Sequence, residues 1–132
     1  MFYELSVKVT RMDKNGNDKE VVEKYITNAN LFSEAECVGL ELYNNDCDVV
    51  AIRRSKIAEI INDKEIDIPF FKAVVCDTFL NEDGSEKETD YHILVCAKDV
   101  KSATEKTLEY MKQGYNMELK SISKTKIIDV LG

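Results

Sequence analysis

The string at residues 49–61, VVAIRRSKIAEII, returns near the end of the chain at 118–131 as ELKSISKTKIIDVL. Ile52, Lys56 and Ile57 of the first string reappear as Ile122, Lys126 and Ile127 of the second. Each string closes a longer unit that also recurs. Phe2 aligns with Phe70, Val7 with Val75, Gly16 with Gly84, Lys19-Glu20 with Lys87-Glu88, and Ala35 with Ala103. Two extra residues near 113–116 adjust the spacing before the last string. Such a chain is constrained to a fold of two similar halves, so its elements are best read in pairs.

Tyr3, Leu5, Val7 and Val9 alternate with Glu4, Ser6, Lys8 and Thr10, which predicts a half-buried strand over residues 2–11. Asn15-Gly16 predicts a hairpin turn, because both residues tolerate positive φ. A second strand follows over about 20–27. Ser33-Glu34-Ala35-Glu36 fits a capping box, in which a serine hydroxyl and a following glutamate satisfy orphan amides reciprocally. Ala35, Val38 and Leu42 then give a narrow apolar helical stripe, and Asn44-Asn45 an exit through the left-handed region. The third strand is expected as one long element over 48–61. The second half repeats this order: strands over 70–80 and 89–97 about Asp83-Gly84, a helix capped by Asp99 and ended by Gly114, and a strand over 117–131.

Each half thus reads ββαβ, and a right-handed crossover sets the third strand beside the first. The expected fold class is α+β: an internally duplicated ββαβ unit forming a mainly antiparallel twisted sheet, with two helices packed on one face and a pseudo-twofold between the halves. The 132 residues make one domain able to bury a core, built of repeats at about 2–61 and 70–131 joined by a polar linker at 62–69. A sheet with helices on only one face leaves the other face wet or free to bind.

Little in the chain points to catalysis. His92 is the single histidine, which excludes a two-histidine metal site within one chain. No G-x-S-x-G, G-x-x-x-x-G-K-[ST] or H-E-x-x-H string is present. Asp13-Lys14-Asn15-Gly16-Asn17-Asp18 places oxygens at alternate positions, but its glycine is fourth rather than sixth, so a surface hairpin explains it better than a calcium loop. Asp63, Glu65 and Asp67 fall in the polar linker, where a solvated charge run is the default. No cofactor or metal is implied. Cys37, Cys47, Cys76 and Cys96 form no C-x-x-C pair and read as reduced thiols of a cytoplasmic protein. No apolar run reaches membrane-spanning length, so no membrane is expected among the partners.

The charge pattern is more informative. A net charge of −7, spread evenly over both halves, opposes simple duplex-DNA binding. Yet residues 49–58 and 119–128 contain no acid, in a chain with 25 acidic residues. They carry Arg53, Arg54, Ser55 and Lys56, and symmetrically Lys120, Lys124, Thr125 and Lys126. On a continuous strand Arg54 and Lys56 share a face, as do Lys124 and Lys126. Two such strands beside the pseudo-twofold would line a positive groove suited to phosphate, with arginine forks, lysine point charges and hydroxyl donors. The competing reading is a solvated face whose lysines and arginines discourage edge pairing. Tyr3, Tyr25, Tyr43, Tyr91, Tyr110 and Tyr115 offer stacking surfaces for bases, or simply belong to the core and its rim.

The opening aromatic strand, Phe32-Ser33-Glu34-Ala35-Glu36 and Ala51-Ile52-Arg53-Arg54-Ser55-Lys56 with Glu59-Ile60 resemble, over nearly the whole chain, an uncharacterised family of Bacteroidota and their gut phages, crAss-like phages included. That family is labelled only as a domain of unknown function. The resemblance implies a small intracellular protein of phage or mobile-element origin, in the host cytoplasm if phage-encoded, and transfers no site. The expected function is a non-catalytic binding protein for single-stranded nucleic acid or a sequestered small nucleotide. The alternative is an interaction, assembly or inhibitor module that uses an open sheet face or edge for a host protein or a homo-oligomer.

Overall fold

A computed structural model describes residues 1–44, 46–62, 68–112 and 117–131. Their elements run β1 (Phe2–Met12), β2 (Asp18–Asn28), α1 (Phe32–Glu41), β3 (Asp48–Arg54), β4 (Ile57–Ile61), β5 (Phe70–Leu80), β6 (Glu86–Cys96), α2 (Val100–Met111), β7 (Met117–Lys124) and β8 (Ile127–Leu131). The fold is mixed α+β, with two four-stranded sheets ordered β3-β1-β2-β8 and β4-β6-β5-β7. The hairpins β1–β2 and β5–β6 are antiparallel, and β3 and β7 add antiparallel to β1 and β5. The fourth strand of each sheet is parallel to its neighbour, β8 on β2 and β4 on β6.

The single sheet and the unbroken closing strands expected from the sequence are therefore corrected. Each closing strand breaks at a polar dipeptide, Ser55-Lys56 or Thr125-Lys126, and its two parts enter different sheets. The reason is that the partner strand runs out. β3 pairs along β1 as far as Tyr3, and the Ser55 amide makes a last bond to the Phe2 carbonyl at 2.8 Å. β7 does the same on β5, where the Thr125 amide and hydroxyl both donate to the Phe70 carbonyl, at 3.0 and 2.8 Å. Before Phe70 stands Pro69, which has no amide to offer.

Two compact units result, Met1–Ser55 with Lys126–Gly132 and Lys56–Thr125, each completed by a strand from the other half of the sequence. In the first, α1 packs on β1, β2 and β3 through Ala35 and Gly39, over a core that includes Tyr3, Leu5, Val7 and Tyr25. In the second, α2 packs on β5, β6 and β7 through Ala103 and Thr107, over Phe71, Ala73, Val75, Ile93 and Val95. Burying each of these large side chains contributes about 1.5–3 kcal/mol. The alternation read in β1 places these residues on the helix side. Ile26, Phe70, Leu94 and Cys96 alternate onto the opposite face of their strands and are also buried.

The turns and caps follow local chemistry, with two corrections. Gly16 and Gly84 adopt φ of +79° and +85°, whereas Asn15 does not enter the left-handed region. The Asp13 carboxylate accepts the amides of Asn15 and Asn17 on Oδ1, both at 2.9 Å, which closes the hairpin turn. Among the described residues no cluster of three or more potential metal ligands occurs. Ser33 does not cap α1. Leu31 is the N-cap without a side-chain bond, and Glu34 instead accepts the Asn30 amide at 3.1 Å. Asp99 caps α2 as expected, accepting the Ser102 amide at 2.8 Å, and Asn44 leaves α1 at φ +53°. The expected roles of Asn45 and Gly114, and most of the 62–69 linker, lie outside the described residues. Among the described residues no helix is long and apolar enough to cross a membrane.

Candidate functional site

The basic residues singled out from the sequence are exposed but divided between the units. Arg53 and Arg54 end β3, and Ser55 follows them; Lys126 precedes β8 at the opposite edge of the same sheet. In the second unit Lys120 and Lys124 lie on β7 and Thr125 follows, while Lys56 precedes β4 at the opposite edge. Lys120 is neutralised by Asp90, Nζ to Oδ1 at 3.2 Å. Lys56 and Lys72 both act on His92: burial first, then these two cations, push the imidazole below its ordinary pKa against a weaker pull from Asp90. Arg54 is the most structured of the set. Its guanidinium carbon stands 6.0 Å from the ring centroid of Phe32, which is 48% exposed and meets Tyr3 edge-on at 4.8 Å.

A second polar constellation lies in the first unit, where β1, β2 and the end of α1 meet. The Glu23 carboxylate accepts Arg11 Nη2 at 2.6 Å and Nε at 3.0 Å on one oxygen, and the hydroxyls of Tyr25 and Tyr43 at 2.5 and 2.9 Å on the other. Arg11 also donates to the Tyr43 hydroxyl at 2.6 Å, and its guanidinium carbon stands 5.1 Å from that ring's centroid. Burial pushes the Glu23 carboxyl up, but the donors Tyr25, Arg11 and Tyr43 together outweigh it and hold it below the usual range. Burial and the bond to Glu23 push the Tyr25 phenol well above its usual range. The Glu23 carboxylate and the Tyr25 and Tyr43 hydroxyls are satisfied within the protein, while Arg11 stays half exposed and lines an open polar pocket with Tyr43.

The second unit has a cavity of about 290 Å³ at the corresponding place, beside the last turn of α2. Glu59, Asp77, Tyr91, Ile93, Tyr110 and Met117 supply most of its lining. Burial, then the charges of Glu59 and Tyr91, push the Tyr110 phenol up.

With this geometry in view, comparison with known families decides the kinship. A family model described as a domain of unknown function, DUF4494, matches residues 1–132. The chain belongs to the DUF4494 family. No curated protein matches it.

In this DUF4494 chain the sequence reading found the exposed cations but missed both the tetrad and the cavity. Arg11, Glu23, Tyr25 and Tyr43 are spread over β1, β2 and the turn after α1, and no spacing rule joins them. One signal was available: Arg11, Glu23 and Tyr25 face Phe79, Tyr91 and Ile93 in the repeat alignment, a polar-to-apolar exchange inside otherwise similar hairpins.

Proposed function

We propose that this chain is a non-catalytic binding protein for a phosphate-bearing ligand, either single-stranded nucleic acid or a small nucleotide, engaged at the exposed end of β3 in the first unit and, separately, at that of β7 in the second. The observation that carries the reading is Arg54 poised over the half-exposed ring of Phe32, with exposed Arg53 on the opposite face of the same strand. A guanidinium fork next to an open aromatic face offers a phosphate clamp and a stacking platform together. Lys124, opposite Phe71 as Arg54 is opposite Tyr3, is the corresponding cation of the second unit. Lys120 contributes less because Asp90 already holds it.

Fluorescence anisotropy with labelled oligothymidine, and native mass spectrometry for retained nucleotide, test the proposal. Strand binding should weaken steeply with salt, with a slope set by the number of phosphates neutralised, whereas a held nucleotide should copurify and raise the melting temperature. Arg53→Glu with Arg54→Glu should remove binding from a folded protein. Unchanged binding in that variant sinks the reading.

A second reading is favoured by Val50, 52% exposed on β3, the outermost strand of its sheet. Such an edge suits strand addition by a partner chain. It predicts a stable oligomer or hetero-complex, indifferent to phosphate. The same proposal takes the halves as duplicated ββαβ copies, supported by matched register shifts at Ser6/Val7 and Val74/Val75. It also takes a phage or mobile-element origin and a cytoplasmic setting from the family resemblance.

A further inference from the structure

The two hairpins share one register: Arg11 opposite Lys19 and Glu23 opposite Val7 in the first unit correspond to Phe79 opposite Lys87 and Tyr91 opposite Val75 in the second. In the first unit the carboxylate beside the helix end is already paired from within, although Arg11 and Tyr43 also line an open polar pocket of about 360 Å³. Arg11 supplies a cation, Glu23 its counter-charge, and Tyr43 an aromatic face 5.1 Å from the guanidinium carbon. The second unit has Tyr91 at the place of Glu23, and its carboxylates and aromatics come from other positions, with no cation at the place of Arg11. Glu59 from β4 and Asp77 from β5 contribute carboxylates, Tyr91 and Tyr110 contribute phenol rings, and among the described residues no lysine or arginine lines the space. Phe79, at the place of Arg11, is substantially exposed. Among the described residues neither Glu59 nor Asp77 makes an ion pair or side-chain hydrogen bond.

We propose that this cavity of the second unit is a binding site for a small organic ammonium ion, its charged head against Glu59 and Asp77 and its apolar body against Tyr91, Tyr110, Ile93 and Met117. Four physical facts favour that occupant. Two carboxylates repel an anion, and covering them with a neutral apolar molecule would desolvate them without a partner. Electron-rich ring faces attract ammonium and alkylammonium groups. Tyr110 sits in the last turn of α2, the end of a helix that favours positive charge. The donor set does not suit a hard metal ion, since no cluster of three candidate ligands occurs among the described residues. At about 290 Å³ the space lies at the small end of ligand sites, which run from about 300 Å³ upward, so a short amine fits better than a drug-sized molecule. This site does not depend on the phosphate-ligand reading above, because it uses none of the same residues.

The test compares butylammonium with its neutral counterpart butan-1-ol, by calorimetry and by the NMR signals of the tyrosine rings. The chain has 6 tyrosines and no tryptophan, which keeps the aromatic spectrum assignable. Butylammonium should bind with a Kd on the order of millimolar or tighter, a scale reasonable for so few atoms, and should shift Tyr91 and Tyr110. Glu59→Gln with Asp77→Asn should weaken it at least about tenfold, as expected when charge partners are removed, and leave the weak signal of butan-1-ol unaltered. Phe79→Arg, which supplies the second unit with its own cation, should also compete butylammonium out while the amide spectrum stays folded. The proposal is overturned if amine and alcohol bind alike, if the folded double variant retains full affinity, or if no tyrosine signal moves on saturation with the amine.

Discussion

Gly39 of α1 stands so close to Val49 of β3 that a methyl group built on it would lie 2.8 Å from Val49 Cγ2. Leu5 Cδ1 would be 3.4 Å away on the other side. At the matching turn of α2 the second unit carries Thr107, fully buried, with its hydroxyl donating to the Ala103 carbonyl at 2.8 Å. The two helices therefore meet their sheets through different contacts: bare backbone in one, a satisfied hydroxyl in the other. Gly39→Ala should gain about 1 kcal/mol of helix propensity and lose about 1–3 kcal/mol to overpacking. The net expectation is a lower urea midpoint at unchanged m-value. A raised midpoint would show that Val49 simply moves aside.

The Glu23 tetrad makes a pH prediction with a definite sign. The folded carboxyl titrates below its ordinary value near 4.3. Its contribution is thus fully present above that value and is lost as the pH falls through the folded pKa. The Tyr25 phenol is shifted the other way, so its contribution is present below about pH 10 and is lost as the pH rises past that value. The melting temperature should hold a plateau between these limits and fall at both ends. Glu23→Gln should cost about 1–3 kcal/mol at neutral pH, the typical penalty for breaking a mostly buried hydrogen-bonded group. It should also flatten the acid limb. An acid limb of unchanged steepness in this variant would assign that titration to other carboxyls.

The strand exchange predicts how half of the chain behaves. Completing its own sheet would require β4 to reach the outer edge of β2, three strand spacings from β3, or about 14 Å. The connection from Arg54 to Ile57 spans at most about 11 Å when extended. A fragment of residues 1–62 therefore cannot close its own sheet, but two copies can donate β4 to each other reciprocally. It should run as a dimer by analytical ultracentrifugation and dissociate only as it unfolds. A folded monomer would contradict the hinge argument.

Much of the architecture was legible because local signals agree with it. Alternation in β1, the glycines at the hairpin tips and Asp99 before α2 each fix their element within a few residues. The break in the closing strands was not legible. Ser55-Lys56 and Thr125-Lys126 contain neither glycine nor proline, and the strand ends there only because Phe2 and Phe70 are the last partners available. That is tertiary information. Ser33 misled for a related reason: the N-cap of α1 is Leu31, two residues earlier, and Glu34 reaches back to Asn30 instead. The exposed cations could be read from composition along the chain, whereas the cavity draws single residues from β4, β5, β6, β7 and α2 and leaves no string to find.

The division of strands between sheets also sets an order of events on the ribosome. All of the second unit, Lys56–Thr125, is one uninterrupted stretch, while the first unit waits for β8. Nascent domains ordinarily fold in the order in which they emerge. Here the half that emerges first is the last to be completed. Until Ile127–Leu131 leaves the exit tunnel, the outer edge of β2 around Tyr25–Thr27 has no partner strand. A pause in translation that holds β8 inside the tunnel would prolong that interval and the exposure of this edge of β2.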